Sequence, residues 1–417
     1  MTTASPGAFA TAQAQLNEAA DALGLDDGLR AVLQQPRREL RAAIPVRRDD
    51  GTVRVFPAFR VQYNDARGPC LGGVRWHANE SADLARALAA NMTWRAAVLG
   101  LPAGGSQGAV ACDAKKLSDA EKERLARGYV RAFARDLGPD RDVLAPDLYT
   151  APETMAWMLD EFEAIRGASA PSVATGKPTA LGGIEGQAEA MARGAIRCVR
   201  DIAAAAGLDP AGACAVQGFG NAGLHAARLH ARLLGGGRLV AVTDASGGIY
   251  AAAGLDPDAV AEHKRKSGRV AGFPGARPIT NEDLLEINAD TIYLAAMEGV
   301  VTRQNADRIR ARIVCELAGA AVTPEADRIL HLRGVHAIPD LLAGGGALVA
   351  AHIEYAQGRS GLPPSAEDAA RRVEDALARA AAEVLAVQRE RNVPLRLAAQ
   401  LLAVGRVAEA VRRRGWA

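Results

Sequence analysis

The segment that most constrains this chain is Ala213–Gln217, an apolar run of strand length. It breaks into Gly218-Phe219-Gly220-Asn221-Ala222-Gly223 and resumes as a helical pattern to Leu234. A second apolar run, Leu239–Thr243, follows and carries Asp244 at its end. Strand, glycine turn, helix and strand in this order form a βαβ unit, whose two strands lie parallel in one sheet. The glycines permit a tight turn and let a pyrophosphate approach the unpaired N–H groups at the start of the helix. Asp244 can accept from ribose hydroxyls there, which argues for NAD over NADP. Gly218, Gly220, Asn221, Gly223 and Asp244 are thus the candidate dinucleotide-binding residues. A tight strand–helix turn that holds no ligand would use the same residues.

Further strands are expected at Thr291–Ala295, Ile313–Glu316 and Val335–Ile338, with helical stretches between them and a long helix from about Gly183. That alternation implies an α/β fold with a parallel, doubly wound sheet. The N-terminal half reads differently. Ala8 to Arg41 is helical in pattern, and a strand is expected around Ile44–Val46. A turn at Asp50-Gly51 then leads to Val53, Val55, Pro57, Phe59, Val61 and Tyr63 alternating with Arg54, Phe56, Ala58, Arg60 and Gln62. Ser81 opens a helix on which Leu84, Leu88, Asn91 and Arg95 share a stripe. An unpaired charge is costly there, so Arg95 is a candidate anion clamp or structural ion pair. Ser118-Asp119-Ala120-Glu121 is a capping-box pattern, its helix carrying Leu125, Tyr129, Phe133 and Leu137 and ending at Gly138-Pro139. Another helix is expected near Pro152–Arg166, and Ala366 to Arg414 is helical and alanine-rich.

A chain of 417 residues exceeds one ordinary core, so two domains are expected. Its 50 basic and 48 acidic residues leave no nucleic-acid footprint, and the runs Lys264-Arg265-Lys266 and Arg412-Arg413-Arg414 read as solvated helix faces. The five cysteines and seven histidines form no metal-ligand spacing, so no metal site is expected and the thiols are read as reduced. With no signal-like N-terminus and no bilayer-length apolar run, a cytoplasmic protein without membrane contact is expected.

Several segments carry a more specific signal. Leu101-Pro102-Ala103-Gly104-Gly105-Ser106-Gln107-Gly108-Ala109 resembles the glycine-rich active-site loop of the glutamate/leucine/phenylalanine/valine dehydrogenase family. The resemblance continues through 61–69, Met92-Thr93-Trp94-Arg95, Ala145-Pro146-Asp147, Thr175-Gly176-Lys177-Pro178, Gln217–Gly223, 270–275 and 323–327. It implies an N-terminal substrate and oligomerisation domain at 1–185, completed by C-terminal helices at 360–417, and a Rossmann-like domain at 186–345. It also implies an active site in the cleft between domains, a hexamer or similar oligomer, and oxidative deamination of an L-amino acid with NAD or NADP.

Carried over residue by residue, the resemblance also exposes departures. Asp147 matches the family's catalytic aspartate, but Gln107 stands where the catalytic lysine is expected. An amide offers only neutral hydrogen bonds, whereas a lysine amine can move protons and hold charge. Arg95 matches a lysine that binds the substrate carboxylate and keeps its charge. Leu71 stands where glutamate-specific members carry a lysine, and Ala351 where they carry a serine. Met191-Ala192, Gly299 and Glu316-Leu317-Ala318-Gly319 depart at the nicotinamide end, where cofactor binding is expected to be weakened or lost. The expectation is a catalytically impaired subunit that regulates an active paralogue in a hetero-oligomer and senses an apolar amino acid such as leucine. An active dehydrogenase and a purely structural oligomer partner are the alternatives.

Overall fold

Residues 7–417 are described in a computed structural model, in which the chain divides into two units. Among the described residues, unit 1 comprises those up to 185, with 350–369 and 400–417, and unit 2 comprises 186–349 and 370–399. The expected assignment of all of 360–417 to the first domain is therefore corrected. The segment 370–399 packs in unit 2, where Glu374 pairs with Arg193 at 2.7 Å.

Unit 1 contains, in chain order, α1 (Ala8–Leu23), α2 (Asp27–Gln34), β1 (Arg38–Arg47), β2 (Val53–Asn64), β3 (Cys70–His77) and α3 (Ala82–Val98). There follow β4 (Gly104–Ala111), α4 (Asp119–Phe133), β5 (Asp142–Pro146) and α5 (Pro152–Arg166). Arg38–Arg41 thus belong to a strand and not to the expected N-terminal helix, because they pair with residues 59–62 across an antiparallel ladder. The sheet order is β1-β2-β4-β3-β5. The capping box is present, with Glu121 N donating to Ser118 Oγ and Ser118 N to Glu121 Oε2.

Two features of this sheet go beyond the sequence reading. In β2, Val53 and Val55 are exposed while Phe56, Ala58 and Arg60 are buried. The arginine goes inward because Asp142 of β5 waits there. The glycine-rich segment is a strand, β4, and not a loop. Its small residues let α3 approach: a Cβ on Gly105 would lie 2.1 Å from the Thr93 backbone nitrogen.

Unit 2 begins with α6 (Ala190–Ala205), which starts later than the helix expected from Gly183. It continues with β6 (Ala213–Gln217), α7 (Asn221–Leu233), β7 (Arg238–Asp244), β8 (Gly247–Tyr250), α8 (Pro257–Ser267), β9 (Arg277–Ile279) and α9 (Asn281–Leu285). Then come β10 (Thr291–Leu294), β11 (Ile313–Glu316), α10 (Pro324–Leu332), β12 (His336–Ile338) and α11 (Asp340–Ala343). The sheet order is β12-β11-β10-β6-β7-β8-β9. Strands β12 to β7 are parallel and wind in both directions from β6, as a doubly wound sheet requires. The sheet is nonetheless mixed, since β8 and β9 add antiparallel at one edge.

Three helices complete the chain: α12 (Gly345–Ser360), α13 (Ala366–Arg391) and α14 (Leu395–Arg413). The helical segment expected over Ala366 to Arg414 is two helices, which break where Asn392 takes a positive φ of 51° ahead of Pro394. Proline excludes the preceding residue from helical backbone, which sets the break.

Candidate functional site

The middle of β4 and the carboxyl end of β5 bring together two of the polar residues that the sequence singled out, Gln107 and Asp147. Side chains alternate along a strand, so Leu71, Gly73 and Arg75 of β3 share a face with Gly105 and Gln107 of β4. Gln107 is 2% exposed, and its Nε2 donates to Asp147 Oδ2 at 3.0 Å and to the Gly108 carbonyl at 3.3 Å. Leu71 is buried two residues before Gly73, giving that face an apolar wall.

Asp147 sits just beyond β5, in a turn that its own side chain helps to close. Its Oδ1 accepts from Leu148 N at 2.7 Å, and its N–H donates to Thr150 Oγ1 at 2.7 Å. Thr150 Oγ1 in turn donates to the Val74 carbonyl at 2.9 Å, tying the turn to β3. Tyr149 pays for this geometry with a φ of 58°, a region that aromatic residues rarely occupy. Gly73 makes room for the aspartate: a Cβ there would lie 2.7 Å from Asp147 Cβ and 2.8 Å from Oδ2.

Two residues of this cluster escaped the sequence reading. Arg75 places Nη1 3.7 Å from Asp147 Oδ1 while its Nε donates to Glu80 Oε1 at 2.9 Å. The period of two from Leu71 through Gly73 was the signal that could have found Arg75. Glu80 had none, because it lies outside any strand.

On the opposite face, a fully buried ion pair fixes the strands. Arg60 donates to both oxygens of Asp142, at 2.8 and 2.5 Å, and to Ser106 Oγ at 2.8 Å. It also reaches the carbonyls of Gly72, Gly73 and Val143 at 3.3, 3.0 and 3.1 Å. A second buried pair, Lys177 with Glu354 at 2.6 Å, holds the Thr175-Gly176-Lys177-Pro178 segment. Glu354 also accepts from Gly176 N at 2.9 Å.

The remaining expected residues take other places. Arg95 lies near the end of α3, half-buried, with Nη1 3.8 Å from Met92 Sδ. The stripe it shares with Leu84, Leu88 and Asn91 is only partly buried, and Ala85, Ala89 and Ala96 form the inner face. Ala351 is buried in α12. The five dinucleotide candidates all belong to unit 2.

There the glycine turn has the shape a dinucleotide needs. Gly218 takes a φ of 91°, and a Cβ on it would lie 2.7 Å from the Ala295 backbone. A Cβ on Gly223 would meet the Gly218 carbonyl oxygen at 2.1 Å, so the helix packs directly on the turn. At Gly220 and the start of α7 a Cβ would meet nothing within 4 Å, which leaves space for a ligand against the helix N-terminus. Gln217 Oε1 and Thr243 Oγ1, opposed across β6 and β7, are buried without hydrogen-bond partners. Asp244 is engaged by its own chain, and Lys264 Nζ stands 3.1 Å from its Oδ2. Lys264 therefore departs from the expected solvated run, whereas Arg265 and Lys266 pair with Glu262. No group of three or more potential metal ligands occurs among the described residues.

Comparison with known proteins agrees over nearly the whole chain. A family model described as Glutamate/Leucine/Phenylalanine/Valine dehydrogenase matches residues 182–415. A second, described as Glu/Leu/Phe/Val dehydrogenase, dimerisation domain, matches residues 36–164. A glutamate dehydrogenase of Thermotoga maritima is 41% identical over 402 residues, 96% of each chain. An NADP-specific glutamate dehydrogenase of Synechocystis is 38% identical over 98% of this chain and 97% of its own. The hetero-hexameric glutamate dehydrogenase of Thermus thermophilus, in its leucine-bound form, matches with a TM-score of 0.94 at 37% identity, covering 99% of this chain and 98% of that one.

Proposed function

Because the chain belongs to the glutamate/leucine/phenylalanine/valine dehydrogenase family, we propose that it is a subunit with little or no catalysis of its own. It assembles with an active paralogue and regulates it through an apolar amino acid held in the old substrate pocket. The observation that carries this reading is the 3.0 Å hydrogen bond from the Gln107 amide to Asp147. A neutral amide occupies the place where the family resemblance expects a lysine ammonium. It can orient the carboxylate, but it can neither give up a proton nor hold charge on an intermediate. General acid–base catalysis alone is worth about 10²–10⁴-fold, so turnover falls by at least that much.

The same residues remain suited to binding. Arg95 would take the α-carboxylate, Asp147 with Gln107 the ammonium, and Leu71 the side chain, with Ala351 offering no polar group. Leucine replaces the cationic side chain that a second carboxylate would need, so a leucine-like ligand fits better than glutamate. The leucine-bound, hetero-hexameric Thermus thermophilus relative supports both the ligand class and the mixed assembly. A nicotinamide dinucleotide, NAD or NADP, would lie along Gly218, Gly220, Asn221 and Gly223. When bound, it supplies a hydride acceptor. No helix among the described residues is long and apolar enough to cross a membrane.

The test is steady-state oxidation of L-glutamate, L-leucine and other L-amino acids with NAD and NADP by the purified, assembled chain alone. Calorimetry with leucine accompanies it. Leucine binding without turnover, and a gain of turnover in Gln107→Lys, are expected. Clear turnover by the parent chain that disappears in Asp147→Asn would overturn the proposal in favour of an apolar-amino-acid dehydrogenase.

A further inference from the structure

At the β12 edge of the unit 2 sheet, four polar side chains converge on a cavity of about 130 Å³. Asp327 and His331 stand four apart on α10 and so share one face of it. His336 opens β12, and Gln388 comes from the last turn of α13. Val335, with Pro394 and Leu395 from the junction of α13 and α14, gives the cavity an apolar floor. Asp327 is buried, whereas His331, His336 and Gln388 keep partial exposure and Gly334 at the rim is exposed, so the cavity is reachable from solvent.

The lining offers acceptors. Asp327 brings a carboxylate and Gln388 an amide oxygen. Burial, followed by the charges of Arg312 and His331, holds the His336 imidazole below the ordinary 6.5, so one of its ring nitrogens accepts at neutral pH. The carboxyl end of α10 lies here too, its closing turn at Gly334 forming part of the rim, and the negative end of a helix dipole favours a cation. Behind Asp327 stands a buried guanidinium already divided among acids. Arg396 pairs with Glu316 and, at 3.4 Å, with Asp340, and the charge of Asp327 acts on it as well. Arg312, just before β11, opposes a cation from outside the lining. Among the described residues no three candidate ligands close on a metal ion, so the cation that fits is organic. An apolar cavity of about 150 Å³ admits benzene, so this one holds a molecule of about six non-hydrogen atoms.

We propose that this cavity binds a small organic cation with a primary ammonium head and a short apolar tail. The three N–H donors of the head go to Asp327, His336 and Gln388 Oε1, and the tail lies on Val335, Pro394 and Leu395. The site belongs to unit 2 alone. It depends on neither the amino-acid pocket of unit 1 nor the glycine turn. An occupant touches α10, β12 and the junction of α13 and α14 together, and so stabilises unit 2 by mass action.

Calorimetry on the full assembled chain with n-butylammonium chloride tests it. Sodium butyrate and tetramethylammonium chloride at the same ionic strength are the anionic and donor-free controls. Butylammonium binds and the two controls do not. Asp327→Asn weakens binding about tenfold or more, as the loss of a charge-assisted hydrogen bond requires. Gln388→Lys, on the partly exposed last turn of α13, puts its own ammonium in the cavity and abolishes binding, with a thermal melt no lower than the parent's. Where Asp327→Asn fails to fold, the lysine variant decides. No binding of butylammonium, equal binding of butyrate, or binding that survives Gln388→Lys overturns the proposal. Binding that is lost in Asp147→Asn and kept in Asp327→Asn places the amine in unit 1 and overturns it too.

Discussion

Replacing Arg60 with methionine removes the charge on which the unit 1 sheet is assembled. Methionine keeps an unbranched, adaptable stem, so little cavity is left behind and the loss is mainly electrostatic. Asp142 would keep only Ser106 Oγ at 2.6 Å and Gln62 Nε2 at 2.9 Å, with no exposure to water. Stranding one partner of a buried pair costs about 3–5 kcal/mol. Adding Asp142→Leu removes the stranded charge and leaves Ser106 and Gln62 short of a partner, at about 1–3 kcal/mol each. The double variant should therefore be no less stable than the sum of the singles predicts, with a coupling of about 2 kcal/mol or more. The four tryptophans, Trp76, Trp94, Trp157 and Trp416, all lie in unit 1, so their fluorescence during urea unfolding reports that unit. A single variant within about 1 kcal/mol of the parent, or strictly additive effects, would refute the argument that this pair organises the sheet.

Other consequences are equally direct. Gly73→Ala puts a methyl 2.7 Å from Asp147 Cβ, which should push the aspartate off Gln107 and weaken amino-acid binding in calorimetry; unchanged affinity would contradict the site. Lys177→Met strands the buried Glu354 carboxylate and should cost about 3–5 kcal/mol in the same fluorescence assay, with a loss under about 1 kcal/mol counting against it. His230 is buried between Tyr293 and the Gly212 carbonyl, and burial holds its pKa below the ordinary 6.5. A base whose folded pKa is depressed binds fewer protons folded than unfolded, so its contribution to stability is present above pH 6.5 and is lost as pH falls below it. Thermal melts of the parent and His230→Gln should diverge in slope below that pH, and parallel curves would remove His230 from the account.

What could be read in the sequence depended on whether a residue's surroundings lie close to it along the chain. Strands β6, β7, β10 and β11 were legible because each is a short apolar run bounded by turn residues. Strands β8 and β9, with four and three residues, are too short to show a period and were missed. Strand β4 was taken for a loop because glycine is a poor strand former, and only the approach of α3 explains its composition. Asp147 and Gln107 were identified through family resemblance, but no local rule revealed their hydrogen bond across 40 residues. Likewise, the alternation around Arg60 gave no sign of its buried partner Asp142, 82 residues on. Lys264 was misread for the same reason: a run of three cations gives no sign that one of them turns inward to a carboxylate 20 residues earlier.

The two faces of the unit 1 sheet also account for how a substitution at 107 would leave the scaffold whole. The strands are registered by Arg60, Asp142 and Ser106 on the face toward α4, where a Cβ on Gly108 would already strike Tyr129 Oη at 2.3 Å. Gln107 points to the other face, toward α3, and contributes its backbone to the ladder whatever its side chain is. Exchanging an ammonium for an amide there alters the chemistry offered to a ligand without touching the bonds that set strand register. Gly73 lies on the same face under the opposite constraint, since any side chain would collide with Asp147. Position 107 is therefore free to vary where position 73 is not, and function can be lost or redirected at the first while the geometry enforced by the second persists.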